Sequence, residues 1–166
     1  MRYGECSIIY IKDGRLTVNE KANQYWSEFW LGKEKPKSVK AEQFGFDPDM
    51  LAQLVIEGKK TATSSAYAIY ELENEQIPTT DSYRIILNSN EEPVAIIKNV
   101  DVQILPMNRV PHEYAIDEGE GDLSYTYWWN GHKAAFTMDL EEYDMSFSED
   151  MLVVCERFKL VDVKAD

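Results

Sequence analysis

Two short segments, far apart in the chain, hold most of the residues whose types and spacing suit chemistry. Gly58-Lys59-Lys60-Thr61-Ala62-Thr63 supplies amines and hydroxyls, and Glu118-Gly119-Glu120-Gly121-Asp122 supplies carboxylates beside glycines. A threonine hydroxyl becomes a useful nucleophile when a neighbouring base takes its proton. A lysine amine is such a base when desolvation disfavours its charged form. A carboxylate can orient that lysine or line a pocket, and glycines let backbone approach a ligand closely. Together the segments read as two walls of one pocket. In a regular strand Lys60 and Thr63 would face opposite ways; in a turn or irregular segment after a helix they would meet.

Each segment also has a purely structural reading. Gly58 suits a helix C-cap, Lys59 and Lys60 favour the negative end of the helix dipole, and Thr61 to Thr63 open a strand. Asp122 suits the cap of a following helix. The alternating carboxylates at 118, 120 and 122 lack the long ligand series of a calcium loop. His112 and His132 have no Cys or His at metal-ligand spacing, so no metal site is expected. No phosphate-cradling loop, dinucleotide fingerprint or nucleophile elbow occurs, so no cofactor is expected. The aromatics Tyr125, Tyr127, Trp128 and Trp129 suit base stacking or core packing. Trp128 and Trp129 cannot both face inward on one helix, whereas His132 shares the face of Trp128.

The elements that must position these residues follow from periodicity and breakers. Ser7 to Ile11 and Leu16 to Val18 flank Asp13-Gly14 and predict a hairpin. Ala22, Tyr25, Trp26, Phe29 and Trp30 mark an amphipathic helix that starts at Asn19 or Asn23 and stops by Gly32. Lys33 to Glu42, charged and containing Pro36, reads as a loop. Asp47 and Pro48 open a second helix with Leu51, Leu54 and Val55 as its stripe, closed at Gly58. Thr61 to Ile69 reads as a strand and Glu71 to Asp81 as a polar connection. Tyr83 to Leu87 and Pro93 to Ile97 predict a hairpin, with Asp101 to Leu105 extending or bulging its second arm. Pro111 starts a short helix running into Glu118. Asp122 is expected to cap a longer one through Phe136. Met151 to Val163 closes the chain as a strand.

The 166 residues suit one domain with a real core. No apolar run is long enough for a transmembrane helix. The N-terminus lacks a secretory pattern and the two cysteines suggest no disulfide framework. A cytoplasmic protein is expected, with Cys155 as a buried thiol. Against 17 basic residues stand 30 acidic ones, a net charge of −13. Such a surface repels duplex DNA and anionic membrane, yet leaves room for a nucleoside or short RNA in a locally basic pocket.

The same residues carry a resemblance. The GKKTAT segment, then Pro78 to Ile85, then Ala115 to Asp122, then Tyr127-Trp128 with His132, resembles the ASCH domain family in its larger GxKTAT/EGEGD-type bacterial members. It extends from the helix with Trp26 and Trp30 to Val154-Cys155-Glu156-Arg157-Phe158. The resemblance implies an α+β fold, a PUA-like small β-barrel with helices packed around it. It implies residues 1–18 as an N-terminal extension and 19–166 as a single ASCH domain.

For function, the resemblance implies a nucleoside or nucleobase cleft and hydrolysis of the amide of acylated cytidine. Lys60, Thr63 and Glu118 match the family's catalytic lysine, threonine and glutamate. Lys59, Ser64, Glu120, Trp128 and His132 are the candidate ligand contacts. A non-catalytic RNA-binding module is the alternative reading and a ribonuclease a third. The chain departs from many relatives at Thr80, at Trp129 in place of an arginine, and at Ser64-Ser65-Ala66, where small amidohydrolases carry an arginine. Loss of those guanidinium groups points away from a phosphate-bearing substrate.

Overall fold

The computed structural model describes residues 9–12, 15–36 and 39–165, which form two compact units. The first comprises Met1–Ile56, Ser82–Lys98 and Leu160–Asp166. Strands β1 (Ile9–Lys12) and β2 (Arg15–Val18) pair antiparallel with Lys12 opposite Arg15. The expected turn at Asp13-Gly14, and Ser7-Ile8, lie outside the described residues. Helix α1 (Glu20–Phe29) starts where Asn19 Oδ1 accepts the Ala22 N–H at 2.9 Å. That satisfies one of the orphan donors of a helix start. Its buried Ala22, Tyr25 and Trp26 pack with Ile85, Leu87 and Ile96.

Helix α2 (Pro48–Ile56) begins where the Asp47 carboxylate accepts the Met50 N–H at 3.0 Å. Gly58 follows at φ +70°, a left-handed conformation that glycine adopts without a Cβ penalty. The loop expected over Lys33 to Glu42 contains a strand instead. β3 (Lys40–Glu42) runs parallel to β5 (Tyr83–Leu87), with Ala41 opposite Ile85. Only Ala41 of its three residues is buried, so the charged neighbours mask the pattern. β5 pairs antiparallel with β6 (Pro93–Pro106), which extends as far as expected.

The second unit comprises Glu57–Asp81 and Asn99–Lys159. β4 (Ala62–Ala66) pairs antiparallel with β7 (Leu152–Val163), placing Ser64 opposite Cys155. The expected strand over Thr61 to Ile69 therefore stops early, and Tyr67–Leu72 forms helix α3. Its Ala, Glu and Leu content favours helix, and Ser65 Oγ meets Tyr70 Oη at 2.8 Å across the join. After a 3₁₀ turn at Met107–Arg109 comes α4 (Glu113–Glu118), then α5 (Tyr125–Glu141). Ser124 caps α5 through its hydroxyl to Tyr127 N at 3.0 Å, not Asp122 as expected. Leu123 sits at φ +64°, which stops the helix from starting earlier; Asp122 instead accepts the Ser124 N–H.

The core of this unit gathers Ala62, Ala66, Tyr114, Trp128, Phe136 and Val153. The strands of the larger sheet run in the order β3-β5-β6-β7-β4, and β6 and β7 give residues to both units. The class is α+β, with a sheet of the small PUA-like barrel kind and helices packed on it. No helix among the described residues is long and apolar enough to cross a membrane.

Candidate functional site

Backbone contacts bring the two chemistry-bearing segments together within the second unit. Helix α4 ends at Glu118 and leaves carbonyls without intrahelical partners. Thr61 fills one of these positions, donating its N–H (2.7 Å) and its hydroxyl (3.1 Å) to Asp117 O. Gly119 then passes Lys59 so closely that a Cβ would lie 2.2 Å from the Lys59 carbonyl oxygen. With φ at +73°, only glycine makes this crossing without strain.

That crossing delivers Lys60 into the interior, with its side chain 1 % exposed. Its ammonium lies 2.6 Å from Glu120 Oε1 and 3.5 Å from Glu118 Oε2, and donates to Glu118 O at 3.4 Å. Glu118 is equally buried and forms the hub. Its Oε1 accepts from Ser64 Oγ at 2.6 Å and from Trp128 Nε1 at 2.9 Å. Its Oε2 faces His132 Nε2 at 3.3 Å. Burial alone would raise the Glu118 pKa. The charges of His132 and Lys60, with hydrogen bonds from His132 and Ser64, outweigh burial and hold it down to about 2.

His132 is engaged at both ring nitrogens. Nδ1 lies 2.8 Å from the Trp128 carbonyl and Nε2 faces the Glu118 carboxylate, two acceptors. With an acceptor at each nitrogen, the surroundings favour the doubly protonated ring, an imidazolium. Burial opposes that charge, yet the Glu118 carboxylate and its hydrogen bond raise the His132 pKa above its ordinary value. The ring stacks on Trp128 at 4.6 Å, and Trp128 on Tyr125 at 5.3 Å. The indole thus serves both as core and as a donor to Glu118, a dual role that stacking and packing arguments alone do not suggest.

Six of the eight sequence-predicted residues meet here: Lys60, Ser64, Glu118, Glu120, Trp128 and His132. Lys59 does not; its exposed amine pairs with Glu57 at 2.6 Å. Thr63 stands next to Ser64 on β4, so strand alternation turns its side chain to the other face. Its carbonyl accepts the Tyr114 hydroxyl at 2.7 Å.

Residues that sequence reasoning passed over support the site. Tyr114, one helical turn before Glu118, also bonds Glu156 O at 2.9 Å and thereby ties α4 to β4 and β7. Burial pushes its phenol pKa up, and pushes the Cys155 thiol up to about 12. Arg157 donates to Asp117 at 2.8 Å and lies over the Tyr114 ring at 4.8 Å. The i, i+4 spacing of Tyr114 and Glu118 was the signal available for the first of these.

With this geometry in view, likeness to known proteins is informative. The family model described as ASCH domain matches residues 40–162. A crystal structure of protein EF3133 from Enterococcus faecalis V583, with family model DUF984, is 35% identical with a TM-score of 0.79. The likeness covers 87% of this chain and 90% of that one. A crystal structure of an ASCH domain from Lactobacillus crispatus JV V101 is 29% identical with a TM-score of 0.78, covering 86% of this chain and 94% of that one. Comparison with curated proteins returns no match. A family match over most of the chain, joined to a solved relative at this identity and coverage, means that the protein belongs to the ASCH domain family.

Proposed function

We propose that the Lys60–Glu118 cluster is a nucleoside site and that the protein, a cytoplasmic enzyme, hydrolyses the amide of acylated cytidine there. The observation that carries this reading is the fully buried ammonium of Lys60, set against both carboxylates of the Glu118-Gly119-Glu120 segment. Burying such charges costs several kcal/mol per ion, about what a structural core would avoid by using apolar residues. In this reading the GxKTAT and EGEGD pair marks the larger bacterial members of the family.

The ion pairs make Lys60 a hydrogen-bond donor and suit it to hold the oxyanion formed from the acyl oxygen. Ser64 is the hydroxyl that the geometry favours, because it already donates to Glu118. Its oxygen attacks the acyl carbon as its proton leaves along the existing hydrogen bond to Glu118, a transient stop because the site holds that carboxyl well below its usual pKa. The C–N bond then breaks, and that proton moves to the exocyclic nitrogen of the leaving cytidine. Water hydrolyses the resulting ester and releases the carboxylic acid. Thr63 is the hydroxyl that the family resemblance implies. The two are separable by substitution.

The test is to incubate the protein separately with acylated cytidine and with total RNA and follow products chromatographically. The reading predicts turnover of the nucleoside and intact RNA. Salt-sensitive RNA retention without turnover would replace it with a binding module. Cleaved RNA would replace it with a nuclease.

A further inference from the structure

Of the two ion pairs of the buried Lys60 ammonium, the shorter is not with the buried carboxylate. Glu118, 2 % exposed, stands 3.5 Å away, while Glu120, 28 % exposed, stands at 2.6 Å. Glu118 is also fully engaged. A carboxylate offers roughly four lone-pair positions, and donors from Ser64, Trp128, His132 and Lys60 surround it. It has no open acceptor for a ligand and does not need Glu120. Glu120, by contrast, sits between Gly119 and Gly121 on the short link from α4 to α5. The Tyr127 ring covers Gly121 so closely that a Cβ there would meet the ring at 2.4 Å. Both neighbours of Glu120 are therefore held, and what can swing is its own side chain, a partly exposed carboxylate on rotatable bonds.

We infer that Glu120 is a placeholder: in the free protein its carboxylate occupies the position on Lys60 that a ligand oxygen takes when it binds. The chemistry of the position sets the ligand class. The ligand must present a carbonyl or carboxylate oxygen to the ammonium, and a donor group would be refused. Binding sends Glu120 out to water, where a carboxylate is well solvated, so the exchange trades one oxygen on Lys60 for another. The nucleoside-amide reading supplies only the identity of that oxygen, namely the acyl oxygen in the substrate and the carboxylate in the product.

Acetate tests the position without any nucleoside. Unfolding midpoints of wild type, Glu120→Ala and Glu120→Gln are measured against sodium acetate, with sodium chloride matched for ionic strength. A tethered carboxylate competes at an effective concentration in the mM range, so its removal tightens acetate binding on the order of tenfold or more. The expected result is a saturable acetate-specific rise in midpoint for Glu120→Ala, a smaller one for Glu120→Gln, whose amide oxygen still reaches Lys60, and a flat response in wild type. Equal acetate responses in all three proteins, or none in either variant, overturn the inference. Failure of acylated cytidine turnover leaves the acetate result standing. Turnover with no acetate response removes the placeholder alone.

Discussion

Gly119 crosses Lys59 at a distance that leaves no room for a side chain: its Cβ would lie 2.2 Å from the Lys59 carbonyl oxygen and 3.0 Å from Lys60 Cα. This backbone crossing lets a lysine just before one strand and a glutamate at the end of one short helix share a buried site. The chemistry therefore depends on a residue that has none of its own.

Substitution there separates crossing from composition. Gly119→Ala must move backbone while holding a positive φ, so it is expected to cost about 2–4 kcal/mol. Gly131, inside α5, has ordinary φ, and a Cβ added there would meet nothing within 4 Å. Gly131→Ala is expected to add about 0.5–1 kcal/mol by helix propensity. Urea unfolding of both variants checks the opposite signs.

Glu118 is the counter-charge of two buried cations. Glu118→Ala leaves Lys60 and His132 without it and is expected to cost about 3–5 kcal/mol. Glu118→Gln keeps the shape and one acceptor oxygen, so it should cost less but still lower the unfolding midpoint. If Glu118→Ala unfolds with the wild-type midpoint in urea, Glu118 is not the counter-charge that holds the cluster.

The same charges set a pH dependence. Glu118 is held below its ordinary 4.5, so its stabilisation is present above that value and fades as pH falls from there through about 2. His132 is raised above its ordinary 6.5, so its contribution is complete below 6.5 and is lost as pH rises through its folded value. The groups facing the ring are Glu118, Glu120 and, across Glu118, Lys60. Thermal midpoints measured across pH should fall on the alkaline side in wild type. In His132→Gln that limb should flatten, and the acid limb should shrink as well, because His132 is one of the charges that hold the Glu118 pKa down.

The two hydroxyls differ in what they touch. Ser64→Ala removes a donor to Glu118 and the hydroxyl that the geometry favours, so acylated cytidine turnover should fall by about a hundredfold or more. Thr63→Ala leaves that donor in place and should change turnover by less than about threefold. The reverse order of losses would return the nucleophile to Thr63.

Much of this site is legible in the sequence because its signals are local. Asp47 and Gly58 announce their caps, Asn19 is one of two candidate starts for α1, and the helical spacing of Trp128 and His132 puts both on one face. The parts that were not legible depend on tertiary contact. β3 has a single buried residue, and only its pairing with β5 makes it a strand. The N-terminus of α5 moved from Asp122 to Ser124 because Leu123 adopts a left-handed conformation, which no pattern of leucines predicts. The resemblance sets Glu118 against Lys60; the structure brings both glutamates to the ammonium and Glu120 the nearer, at 2.6 Å against 3.5 Å, which spacing alone does not reveal. The clustering of Ser64 with Glu118 followed from strand alternation once β4 proved regular.

The most direct test of the account is kcat/KM for acylated cytidine in wild type and in Lys60→Met, with unfolding midpoints recorded for both. Wild type should turn over measurably, and Lys60→Met should lose about 10²–10³, the range expected when one oxyanion donor is removed. A folded Lys60→Met protein with wild-type turnover would contradict it, as would a wild-type protein that leaves the amide intact.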